Sequence, residues 1–179
     1  MNHESLWAPW RMAYLRDLER KAAEASGPTA PEGSFLLDYW NTPELDEQNH
    51  VIERNERGMI LLNRYPYANG HLLVALGRAK PTLLDYTAAE RAAFWRLVER
   101  AAELMRRALN PQGINYGINE GKAAGAGVPE HLHAHLVPRW GGDTNFMATV
   151  GAVRVIPDAL DAMAERYRGE GRSGEGVDR

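Results

Sequence analysis

Three histidines in seven residues, His131-Leu132-His133-Ala134-His135-Leu136-Val137, place imidazoles at i, i+2 and i+4. On a strand, alternate residues share a face, so this spacing predicts three imidazoles on one side of a strand over 131–137, with Leu132, Ala134 and Leu136 on the core side. Protonated together, the rings would repel one another. Neutral and unpaired, each would bury a polar group at a cost of about 1–3 kcal/mol. A ligand or a chemical role accounts for them better than packing does, whereas His3 and His50, each alone, read as ordinary surface or satisfied histidines. One role is metal binding, since His-x-His on a strand can present two nitrogens to zinc. The other is catalysis at phosphorus: one neutral ring attacks while a neighbouring ring stabilises or protonates the departing oxygen. The flanking sequence favours phosphorus, because the Gly-rich loop NEGKAAGAGVPE (119–130) supplies phosphate-binding parts. No metal is expected.

The elements that position this cluster are legible in the pattern. Short apolar runs at 50–54, 58–62 and 71–76, parted by turn residues including Tyr65-Pro66 and Asn69-Gly70, predict a strand meander. Thr87 with Glu90 forms a capping box, and Ala88 to Leu109 keeps Phe94, Leu97, Val98, Ala101, Leu104, Met105 and Ala108 at helical spacing until Asn110-Pro111 ends it. Strands at 113–118 and 131–137 follow, then a strand over about 150–156 and a helix from Pro157 to Arg168. Strands flanking one long helix predict an α+β fold, a largely antiparallel sheet with one long helix and a C-terminal helix.

Composition bounds the partners. With 21 Lys+Arg against 24 Asp+Glu the net charge is −3, so nothing draws the chain to long nucleic acid, and phosphate binding has to be local. Only Lys21, Lys80 and Lys122 are lysines; the Arg excess suits forked phosphate contacts but equally reflects composition. There is no cysteine, which excludes disulfides, thiolate nucleophiles and Cys-based zinc sites. The start lacks an apolar signal region and no run is long enough to span a bilayer, so a cytoplasmic location without membrane contact is expected. Domain organisation reads as an N-terminal aromatic helix and linker at 1–34, a catalytic domain at 35–168, and a disordered tail at 169–179.

HLHAHLV resembles the His-φ-His-φ-His-φ-φ signature (φ, apolar) of the histidine-triad superfamily of nucleotide hydrolases and transferases. Asn63-Arg64-Tyr65-Pro66-Tyr67-Ala68-Asn69-Gly70-His71 resembles its second hallmark, and Asn119-Glu120-Gly121 its phosphate-side loop, so the resemblance covers roughly 50–160. AGAG (124–127), VPRWGGDTNFM (137–147) and LWAPWRMAYL (6–15) are similar to the bacterial diadenosine polyphosphate phosphorylase-like branch. The resemblance implies that His133 attacks the α-phosphorus, with His131, His135 and His71 around the phosphates and the general acid among them unassigned. Asn63 would hold ribose hydroxyls, against the alternative of a turn former, and Asn119 would bind phosphate or shape a turn. Backbone N–H groups of the loop carrying Gly125 and Gly127 would serve where relatives have a Gln-Ser or Gln-Thr donor. Arg139 would offset phosphate charge, and Trp140, Asp143, Thr144 and Asn145 would rim the substrate, both readings balanced by ordinary surface roles. Many relatives carry a Cys-x-x-Cys zinc pair where this chain has GSFLLDY (33–39), so structural zinc is not expected.

The implied activity is a nucleotidyltransferase that cleaves dinucleoside polyphosphates and passes the nucleotidyl group to inorganic phosphate. The alternatives are a dinucleoside polyphosphate or nucleoside phosphoramidate hydrolase, and a non-catalytic nucleotide- or metal-binding module. No cofactor is required, Mg²⁺ entering if at all with the substrate, and a homodimer is expected by analogy.

Overall fold

The computed structural model describes residues 34–143 and 158–174. The N-terminal helix and linker up to residue 33, Thr144 and Asn145, the strand expected over 150–156 and residues 175–179 lie outside the described residues.

Helix α1 spans Phe35–Asn41, and its N-cap Ser34 accepts the N–H of Leu37. Strands β1 (Val51–Arg54), β2 (Gly58–Leu62) and β3 (Leu72–Leu76) form the expected meander. Helix α2 runs Ala88–Leu109, and both halves of its capping box form: Thr87 Oγ1 accepts the Glu90 N–H while the Glu90 carboxylate accepts the Thr87 N–H. Asn110, left-handed at φ 45, ends the helix ahead of Pro111. Strands β4 (Gly113–Ile118) and β5 (His133–Arg139) and helix α3 (Leu160–Gly174) complete the order.

The five strands lie in the order β1-β2-β3-β5-β4 with every neighbouring pair antiparallel. The fold is α+β, as the pattern predicts. β2 and β3 are buried on both faces because the sheet is covered on both sides. Ile60, Leu62, Leu72, Val74, Leu76, Ala134 and Leu136 pack on α2 and α3, which bring Phe94, Leu97, Ala101, Leu104, Met105, Met163 and Tyr167. Met59, Leu61, Leu73 and Ala75 face the other way, where Leu36, Tyr39 and Trp40 of α1 cover them. Each fully buried Leu stabilises this arrangement by about 1.5–3 kcal/mol.

Two elements, β5 and α3, differ from the sequence reading by more than one residue at each end. β5 begins at His133 and continues through Pro138 to Arg139. His131 and Leu132 are held before it by turn and loop bonds, His131 N–H to Val128 O (3.2 Å) and Leu132 N–H to Lys80 O (2.8 Å). Pro138 is accommodated because β3 pairs β5 only as far as Leu136, leaving β4 alone beside it. Helix α3 runs to Gly174, so residues 169–174, expected in a disordered tail, are helical. Their helix propensity is poor, but Glu170 pairs with Arg107 of α2 at 3.3 Å, and a Cβ at Gly171 would stand 3.5 Å from Glu53 Oε2 and 3.9 Å from Leu104 Cδ2. Tertiary packing overrides propensity here.

Candidate active site

Register places the histidines. His135 lies opposite Leu73 and His133 opposite Ala75, so both imidazoles sit on the α1 side of the sheet while Ala134 and Leu136 enter the α2 core. His71 precedes β3 and is brought beside His135. Asn63, His133, His135, Gly125, Gly127 and Val128 line one cavity of about 510 Å³ with Phe35 and Tyr39 of α1, Leu73, and the turn residues Arg64, Tyr65 and Tyr67.

The hydrogen bonds specify a tautomer for every ring. His71 Nδ1 accepts from Tyr67 N–H (3.1 Å) and Asn63 Nδ2 (3.2 Å), so its proton is on Nε2, which donates to His135 Nδ1 at 3.0 Å. His135 therefore presents Nε2–H. His133 Nδ1–H donates to the carbonyl of His131 at 2.9 Å, leaving Nε2 with its lone pair. His131 Nε2–H donates to Leu76 O at 2.7 Å, and its Nδ1 accepts from the Ser34 hydroxyl at 2.8 Å. Four neutral rings are thus satisfied without a shared proton, and no buried side-chain nitrogen or oxygen among the described residues lacks a partner.

Burial favours the neutral forms of His131, His133 and His135. It lowers the pKa of His131 and His133, against hydrogen bonds to backbone carbonyls that favour the charged forms. It lowers His135 to about 4, with repulsion from His133 adding to the effect. The rings are close: centroids of His133 and His135 lie 4.9 Å apart and those of His71 and His135 5.2 Å. Tyr67 covers the pair, 4.8 Å from His71 and stacked 5.9 Å from His135. Among the described residues lining the cavity, Arg64 is the only Lys or Arg and there is no Asp or Glu. A neutral nucleophilic nitrogen, a ring N–H donor and one guanidinium around a partly apolar cavity suit an anionic electrophile with an aromatic or apolar portion.

The remaining residues singled out from sequence fall in different places. His131 is fully buried behind His133 and does not line the cavity. Asn63 lines it while also shaping the turn, its Oδ1 accepting Tyr65 N–H at 2.9 Å. Asn119 is not in the lining; its Nδ2 reaches Gly125 O at 3.4 Å and closes the Gly-rich loop. Gly125 takes φ 88, a conformation glycine adopts without strain, and reaches the lining with Gly127. Arg139 is outside the lining and pairs with Asp143 through both Nε (2.7 Å) and Nη2 (2.8 Å). Asn145 lies outside the described residues. Sequence reasoning passed over Phe35, Tyr39, Arg64, Tyr65, Tyr67, Leu73 and Val128. The signal for α1 was present, with Ser34 as an N-cap and aromatic residues four apart whose rings meet edge to face at 5.3 Å.

The family model of the HIT domain matches residues 44–142. The chain is 37% identical over 160 residues to an AP-4-A phosphorylase of Mycobacterium tuberculosis, spanning 88% of this chain and 78% of that protein. It is 34% identical over 97 residues to a bis(5'-adenosyl)-triphosphatase of Dictyostelium discoideum, across 54% of this chain and 64% of that one. Among solved structures, a Zn-bound histidine triad family protein from Mycobacterium smegmatis superposes with a TM-score of 0.65 at 27% identity, covering 82% of this chain and 100% of that chain. This chain therefore belongs to the HIT domain family and is a HIT-family enzyme. Zinc does not fit at the Ser34–Leu37 segment: it offers one hydroxyl and no thiolate, and both nitrogens of His131 are already engaged.

Proposed function

We propose that this enzyme cleaves dinucleoside polyphosphates at the α-phosphorus through a nucleotidyl-histidine on His133, and that inorganic phosphate resolves the intermediate. The observation that carries the reading is the His133 Nδ1–H bond to His131 O, which leaves the Nε2 lone pair as nucleophile on a ring lining the cavity. With diadenosine tetraphosphate, Nε2 forms a bond to one α-phosphorus, the bond from that phosphorus to the bridging oxygen breaks, and ATP departs. Attack by phosphate on the adenylyl-imidazole then breaks the P–N bond, frees His133 and yields ADP; attack by water would yield AMP.

His135 Nε2–H and the loop N–H groups at Gly125 and Gly127 would steady the equatorial oxygens. Arg64 would offset polyphosphate charge, while Phe35, Tyr39 and Leu73 would receive the base. The chain's own residues supply nucleophile and donors, so Mg²⁺, if used, would enter with the substrate. Phosphorolysis is preferred over hydrolysis because the relative matched across most of both chains bears the phosphorylase name.

Chromatography of products from diadenosine tetraphosphate, with and without phosphate, tests the reading. ADP plus ATP only with phosphate supports it; AMP plus ATP without phosphate makes the enzyme a hydrolase. His133→Ala is expected to lower turnover on the order of 10⁴-fold or more.

Two copies are proposed to join through β4 and α2. Among the described residues β4 pairs with β5 alone, and Trp95, Val98, Tyr116 and Ile118 border an apolar cleft beside it. Sedimentation equilibrium at twice the chain mass, returning to monomer in Tyr116→Asp, is the expected result.

A further inference from the structure

We propose that Ser34 is a positioning residue for the His133 nucleophile, acting through His131. The inference rests on the catalytic role given to His133 above. Ser34 is 97 residues away from His131 in the chain and is 3% exposed, and its hydroxyl is committed at both ends. Its oxygen accepts the Leu37 N–H that opens α1 (3.3 Å), and its O–H donates to His131 Nδ1 (2.8 Å).

The direction of that bond matters. Because Ser34 donates, His131 keeps its proton on Nε2, where it is given to Leu76 O on β3. The ring is thereby pinned between α1 and the sheet, and with it the backbone carbonyl of His131, which accepts the Nδ1–H of His133. Without the hydroxyl, Nδ1 of a fully buried ring loses its partner. Moving the proton to Nδ1 would set the Nε2 lone pair against the lone pairs of Leu76 O. The ring would have to shift, and the carbonyl that fixes the tautomer of His133 would shift with it.

Steady-state kinetics and ¹⁵N imidazole spectra of the full chain test this with Ser34→Ala, Ser34→Gly and Ser34→Thr. Gly is nearly as good an N-cap as Ser but has no hydroxyl, and Thr keeps both functions. Ala and Gly are expected to lower kcat about 10- to 100-fold, with KM for diadenosine tetraphosphate within about twofold. Thr is expected to restore kcat. In the wild-type spectrum His131 should be the Nε2–H form and His133 the Nδ1–H form, with the second lost or averaged in the Ala and Gly variants. A kcat for Ser34→Gly within about twofold of wild type would overturn the inference, as would unchanged tautomers in that variant. A wild-type His131 that is not Nε2–H would do the same even where the variants fail to fold. If the wild type does not turn over dinucleoside polyphosphates, the proposed function falls, and the imidazole spectra still decide the role of Ser34.

Discussion

At the scale of single residues, the site is a chain of hydrogen bonds whose donors and acceptors alternate without conflict. Tyr67 N–H to His71, His71 to His135, and separately Ser34 to His131 to Leu76 O, assign each proton. Neutrality is part of that design and has a pH signature. Burial holds His135 near 4, below the ordinary histidine value of 6.5, so between those values the unfolded chain binds more protons than the folded one. Stability from this group is present above about pH 6.5 and is lost as pH falls through the window toward 4. Urea unfolding is expected to give a lower midpoint at pH 5 than at pH 7.5. A midpoint that stays level across that range would count against the lowered pKa values of the buried histidines.

Among the elements, α1 and α2 do different work. The α2 cap is local, and Thr87→Ala is expected to cost about 1 kcal/mol, read as a drop of a few degrees in Tm with activity retained. Helix α1 instead carries Phe35 and Tyr39 to the cavity, and tertiary contacts hold its C-terminal end. Arg54 donates to Tyr39 O and Trp40 O, pairs with Asp46, and lies over the Trp40 ring at 5.3 Å from its centroid. Trp40 packs so closely on Gly77 that a Cβ there would lie 2.1 Å from Trp40 Cε2. Gly77→Ala should therefore push α1 outward, costing about 1–3 kcal/mol and raising KM through Phe35 and Tyr39, whereas Thr87→Ala should not change KM. Thermal melts paired with Michaelis–Menten kinetics separate the two.

For the molecule as a whole, the sheet joins parts of the chain that are remote in sequence, and α3 ties the far end to the site. Tyr167, fully buried, donates its hydroxyl to Gly70 O at 2.8 Å, in the turn that delivers His71. Arg168 donates to Val51 O, bracing the start of β1. Burial pushes the Tyr167 phenol pKa upward, so the hydroxyl stays a donor at any ordinary pH. Tyr167→Phe leaves Gly70 O without this donor and should lower the stability read from urea unfolding by about 1–2 kcal/mol. An unchanged midpoint would show that Tyr167 stabilises the fold through its ring's packing alone and not through its hydroxyl.

Periodicity and caps were enough to read β1 to β4 and α2, because those segments repeat at the spacing of their own secondary structure and end in residues that stop it. The histidine spacing pointed to a ligand or a chemical role, and the flanking loop with the family resemblance, carried also by Asn63 and His71, turned that expectation toward phosphorus. Three things were decided only by tertiary structure. Alternation put His131 on the strand, but its two buried nitrogens found Ser34 and Leu76 O, and the strand begins at His133. The aromatic side of the cavity came from α1 and the 63–67 turn, whose seven-residue helix and irregular backbone repeat too little for a period to show. Residues 169–174 became helical through Arg107 and the space beside Leu104, contacts that no local preference encodes. Local sequence specifies what a segment can be; burial across the sheet decided which nitrogen carries each proton, because there an unpaired polar group has no water to turn to.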